Sequence, residues 1–102
     1  MSFIKNDIIQ YTSTGNKAPL RIPSGYKRIN VRLECASSTA KIQTTVYPDT
    51  VVEADPSAAT WRDWDAGDIT TSHESRLVGA ASYIRVVVDA GTDVKLIIRM
   101  DK

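Results

Sequence analysis

The sequence predicts a single all-β domain: an antiparallel β-sandwich, jelly-roll or immunoglobulin-like, with little or no helix. Three observations lead there. Apolar residues recur at every second position in several segments, the period of a half-buried strand. Turn-forming residues separate these segments at intervals of about eight to twelve positions. Only residues 72–81 could make about two helical turns, and Gly79 weakens even those. A chain of 102 residues is long enough to build one core without metal or disulfide support.

The elements follow in chain order. Residues 1–25 read as a possible tethering or assembly segment. Within it, residues 7–12 form a strand through Ile9 and Tyr11, and residues 16–19 are extended or turned. Leu20 and Ile22 alternate before a turn at Pro23 and Gly25. The next signal is the cleanest: Ile29, Val31, Leu33 and Cys35 point one way, and Asn30, Arg32 and Glu34 the other. Residues 36–39 break the pattern as a turn. It resumes through Ala40, Ile42, Thr44 and Val46, so the two strands are expected to form a hairpin. Two prolines and several small residues make 48–60 a loop, with at best a short strand at Val51 and Glu53. Residues 83–88 and 94–100 are two further strands. Gly91 between them can take the positive φ of a bulged hairpin loop.

Composition narrows the function classes. An apolar fraction of 42% and a charged fraction of 25% describe a folded globular chain. A formal charge of +1 argues against nucleic-acid binding, which requires a visible excess of Lys and Arg. The charge is nevertheless divided. Seven bases face three acids up to Val51, and nine acids outweigh six bases beyond it. Complementary halves of this kind could help copies or partners dock, although a small protein also reaches such a split by chance. Cys35 has no partner for an internal disulfide and reads as a small buried hydrophobe, in keeping with folding in a reducing cytosol. Neither a cleavable signal nor a membrane-spanning run is expected.

No catalytic constellation emerges. His73 is the chain's one histidine; Ser72 and Ser75 neighbour it in a polar segment, with no motif to orient a nucleophile. The Cys and His count falls short of a zinc site, and the five glycines form no phosphate-binding loop. Asp63, Asp65 and Asp68 are the better metal hypothesis, since calcium favours clustered carboxylates. The spacing is not that of an EF-hand, and turn chemistry explains these residues more simply. No cofactor and no metal are expected. Three residues apart on one strand, Trp61 and Trp64 should point to opposite faces. Trp61 is expected in the core and Trp64, with Arg62 and Asp63, on an exposed contact edge.

Residues 60–64 with their two tryptophans, the Gly67–Thr70 stretch, the 83–88 strand, Gly91-Thr92 and the 94–98 strand together have a recognisable cadence. It resembles that of small β-sandwich structural proteins in virions of tailed bacteriophages, and the likeness covers about residues 39–100. The resemblance implies a non-enzymatic role in capsid decoration or stabilisation, or alternatively in the head–tail connector or the tail. It implies a protein made in the host cytoplasm and localised to the virion. Its partners would be the major capsid protein, other virion proteins and sister copies, with no nucleic acid or membrane. On this reading the contact residues are Phe3 and Ile4 in the N-terminal segment, Arg21, Lys27 and Arg28 in the basic half, and Arg62, Asp63 and Trp64. The rival from another class is a carbohydrate-binding module, with Trp64 stacking on a sugar beside Tyr47 or Tyr26 and with Arg62, Asp63 and Asp65 as polar contacts.

Overall fold

The computed structural model describes residues 4–23, 25–26, 28–64, 67–77 and 81–101, with residues 4 and 5 as backbone only. Its strands are β1 (Ile4–Tyr11), β2 (Gly15–Asn16), β3 (Leu20–Arg21), β4 (Arg28–Cys35), β5 (Thr39–Thr45), β6 (Arg62–Asp63), β7 (Ser72–Arg76), β8 (Tyr83–Ala90) and β9 (Val94–Asp101). They lie in two antiparallel sheets. The first has the order β1–β9–β4–β7, and the second β2–β8–β5–β6, with β3 also on the outer edge of β8. This is the strand order of a jelly roll, one of the two sandwich topologies that the alternation left open.

The alternating residues become the core once the sheets face each other. Val31 and Leu33 from β4, and Val94, Leu96, Ile98 and Met100 from β9, line one inner face. Ala40 and Ile42 from β5, and Ile84, Val86 and Val88 from β8, line the other. Each aliphatic side chain removed from water in this way contributes about 1.5–3 kcal/mol. A smaller cluster sits on the outer side of the second sheet, where Val52, Ala59 and Tyr83 pack with Tyr47 and Trp61.

Three local expectations are corrected. Neither expected hairpin forms. β4 pairs with β9 and β5 pairs with β8, so the chain crosses between the sheets at 36–38 and again at 91–93. Alternation and a turn glycine fix a strand–turn–strand pattern, but both are compatible with a return into the opposite sheet. The segment 48–60, expected as a loop with at best a short strand at Val51 and Glu53, holds a helix, α1 (Asp49–Ala54), followed by a 3-10 turn at Pro56–Ala58. So short a helix has little stability of its own; it is held where Val52 is buried against Ala59 and Tyr83. Within 72–81, where the sequence allowed at most about two helical turns, the structure has β7, whose residues are all exposed and pair with β4 from Asn30 to Glu34.

The N-terminal segment also finds a place. All of β1 pairs with β9, from Ile4 opposite Asp101 to Tyr11 opposite Val94. Residues 15–16 and 20–21 lie along β8. From residue 4 onward, what the sequence offered as a tether is built into both sheets.

The two crossings are stacked on each other. Ala36 N–H donates to Asp93 O at 3.0 Å, and Asp93 N–H donates to Ser38 Oγ at 3.2 Å. Ser38 Oγ in turn donates to Ala36 O at 3.0 Å. Gly91 has φ +93°, and a Cβ there would overlap the Ser38 side chain and come within 2.7 Å of Ser38 Cα. Gly91→Ala is therefore expected to cost about 2–4 kcal/mol, from backbone strain and overpacking together. Ser38→Ala should cost about 1 kcal/mol. Urea denaturation of the two variants checks both the size and the ranking.

Candidate functional site

The outer face of the second sheet carries an ordered polar row. Register places Asp63, Gln43 and Arg85 side by side on β6, β5 and β8. Gln43 Nε2 donates to Asp63 Oδ1 at 2.9 Å, and Arg85 Nε donates to Gln43 Oε1 at 2.9 Å. Lys41 Nζ stands 3.6 Å from Asp63. The Gln43 hydrogen bond, assisted by Lys41, holds the Asp63 carboxyl below its ordinary pKa. Arg85 lies over the Trp61 ring at 4.4 Å, a cation–π contact, and the Trp61 indole donates to Pro56 O at 2.9 Å. Partial burial lowers the Arg85 pKa.

Register also decides the tryptophans. The two do face opposite ways, but the assignment of sides is the reverse of the expectation. Trp64 N–H donates to Ile42 O at 2.8 Å, which puts Trp64 beside an inward-facing residue and carries its ring into the core, 8% exposed. His73 meets that ring edge-on at 5.3 Å between centroids. Trp61 belongs to the outer side, half-buried under Arg85. The expected exposed edge of Arg62, Asp63 and Trp64 thus keeps only Arg62 and Asp63. Of the calcium candidates, Asp65 lies outside the described residues, and Asp63 is already bonded to Gln43 and Lys41. Among the described residues, no group of three or more His, Cys, Asp or Glu converges as metal ligands.

A cleft of about 340 Å³ opens where α1 meets β3 and β8, lined by Pro19, Arg21, Val52, Glu53, Pro56 and Tyr83. Arg21 pairs with Asp49 at 3.0 Å, and Tyr83 OH donates to Glu53 at 3.0 Å. Burial first, and the Glu53 hydrogen bond second, push the Tyr83 pKa up to about 12.

The first sheet offers a different surface. Its outer face holds a shallow depression of about 440 Å³ bordered by Asn6, Arg28, Asn30, Arg32, Ile97 and Arg99. Arg32 is shared between Glu34 at 3.0 Å and Glu74 at 3.6 Å, and Arg99 meets Asp101 at 3.5 Å. At one border of this sheet is β7, short and rich in charged residues, a composition that discourages further pairing. At the other is β1, eight residues long, with no proline, glycine or bulge to interrupt it. Its Ile8 is 67% exposed and lies opposite Ile97 on the outer face. Ile8 and Val46 are the large exposed hydrophobics among the described residues.

The sequence-selected contact residues are therefore dispersed. Arg28 lies on the first sheet beside the depression, and Ile4 opens β1. Arg21 and Arg62 are on opposite borders of the second sheet, while Trp64 is interior. Phe3 and Lys27 lie outside the described residues. Ile8 and Ile97 escaped the sequence reading because β1 has an isoleucine on each side, Ile8 and Ile9, so alternation alone does not say which faces water.

Two outcomes follow from these placements. Trp64→Ala should cost about 3–5 kcal/mol as a core truncation, and Trp61→Ala clearly less; urea melts followed by circular dichroism rank them. In the unfolded chain Tyr83 ionises near pH 10, and in the fold only near pH 12. Stability present below pH 10 should thus fall as pH rises through that window, and fall less in Tyr83→Phe. Alkaline denaturation with absorbance titration of the tyrosines measures both. Compared with known families and curated proteins, the chain matches no family model and no curated protein.

Proposed function

We propose that this chain is a non-enzymatic structural subunit of a tailed-bacteriophage virion that decorates or stabilises the capsid through contacts with sister copies and capsid protein. The observation that carries the reading is the β1 border, which among the described strands is paired on one side by β9, with the exposed Ile8 beside Ile97. A strand edge of this kind gains hydrogen bonds and buries apolar surface when another chain joins it.

Two further points support it. The 60–98 cadence is similar to that of virion sandwich proteins, and jelly rolls are used in viral capsids. They are used in lectins too, so the fold alone does not choose between the two classes. The surface argues against the sugar-binding alternative. Trp64, its proposed stacking ring, is buried; Arg85 covers Trp61; and the Tyr47 hydroxyl is engaged with Thr60 at 3.1 Å. A head–tail connector or tail position would use the same edge chemistry on a different neighbour.

The test is incorporation. Purified particles should contain the protein in many copies, and the isolated chain should co-sediment with undecorated capsids until their sites saturate. Recovery in tails alone would move it to the connector or tail. Absence from particles, with titratable glycan binding in its place, would reject the virion role.

A further inference from the structure

We infer that β1 is the symmetric dimerisation edge of this protein: two copies join β1 to β1 antiparallel, making one continuous eight-stranded sheet about a two-fold axis at Ile8. The inference deepens the assembly reading by naming the partner at that edge as a second copy.

The register follows from geometry and charge. A two-fold axis perpendicular to the sheet keeps both outer faces on the same side. Residues on the outer face of one β1 must then oppose outer-face residues of the other, so the axis passes through a residue and not between two. Centring it on Lys5 or on Asp7 would set like charges directly opposite each other. Centring it on Asn6 or Ile9 shortens the paired stretch to 4–8 or 7–11 of the strand. Centring it on Ile8 pairs 5–11 with 5–11, the longest overlap that avoids a like-charge pair.

That register also fits the side chains. Ile8 meets Ile8 of the second copy, extending the Ile8–Ile97 contact into a four-isoleucine stripe across the joined sheet. Asn6 comes opposite Gln10 of the second copy, twice by symmetry. Gln10 Nε2 already donates to Asp93 at 2.9 Å, so its Oε1 is the acceptor that the Asn6 amide meets. The interface is isologous and closes, which ends growth at two copies on this edge. The opposite border of the sheet, β7, carries the exposed His73, Glu74 and Arg76, which disfavour a second joint there.

The test uses the full chain in solution. Light scattering after size exclusion, from micromolar to millimolar concentration, should show twice the 11.2 kDa chain mass. Ile8→Lys should leave the circular dichroism spectrum unchanged and weaken the dimer on the order of 100-fold or more, because two ammonium groups would meet on the axis. In a Cys35→Ser background, Ile8→Cys should cross-link to itself. Asn6→Cys should cross-link when mixed with Gln10→Cys, and neither of these should do so alone. A monomer throughout the concentration range, a dimer indifferent to Ile8→Lys, or cross-links in another register would overturn the proposal. A dimer absent from particles would keep this interface and reject the virion role, and an incorporated monomer would do the reverse.

Discussion

The fold depends on one small joint, the stacked crossings at 36–38 and 91–93. There the antiparallel ribbon made by β4–β5 and β8–β9 bends from one sheet into the other. The Ala36–Asp93 and Asp93–Ser38 hydrogen bonds tie the crossings together, and Gly91 leaves the space that the Ser38 side chain occupies. Everything inward-facing follows from that bend. With it, Val31 and Leu33 oppose Ile84 and Val86 across an interior; a flat hairpin would leave the same residues on one open face. Buried backbone groups at such a turn need partners, and the Ser38 hydroxyl supplies both an acceptor and a donor.

The bend also distributes the surface. It makes β8 and β5 central in one sheet and β9 and β4 central in the other, so the N-terminal strand is left at a border. The second sheet's outer face is then partly covered by α1 and the segment around Trp61, which gives Tyr83 and Arg85 their partners. Among the described residues no such insertion covers the first sheet. Its outer face keeps ion pairs on exposed arginines, worth little individually, and an apolar contact at Ile8 and Ile97 that ends at the open edge. Assembly through β1 would consume the feature that a solitary subunit has least reason to carry.

The legible part of the sequence was the part governed by local physics. Alternation in β4, β5, β8 and β9 identified the strands, and most of their inward residues are the core found in the structure; Val46, expected on the face of Ala40 and Ile42, lies past the end of β5 and is exposed, while Thr45 is buried. The sandwich class followed from strand number and turn spacing. Where the reading went astray, a non-local partner decided the outcome. Val51 and Val52 favour extended backbone, yet the packing of Val52 against Tyr83 and Ala59 rewards helix for six residues. Residues 72–76 hold no apolar period at all and become a strand because β4 has an unpaired border. The contact edge assigned to residues 62–64 failed for a similar reason. Spacing correctly set the two tryptophans on opposite faces, but only the pairing of Trp64 with Ile42 says which face is inside.

By itself the sequence determined the all-β class, the identity of the long strands, the buried side of β4 and of most of β5, and the need for Gly91 at a turn. These follow from the two-residue period and from glycine's freedom at positive φ, properties that a short segment carries without reference to the rest of the chain. The tertiary structure decided which strand lies beside which, and hence the jelly-roll order, the burial of Trp64, the Trp61–Arg85 stack and the exposure of Ile8. Those depend on register between segments as far apart as Ile8 and Ile97, and one residue of slip would exchange every inward side chain for its outward neighbour.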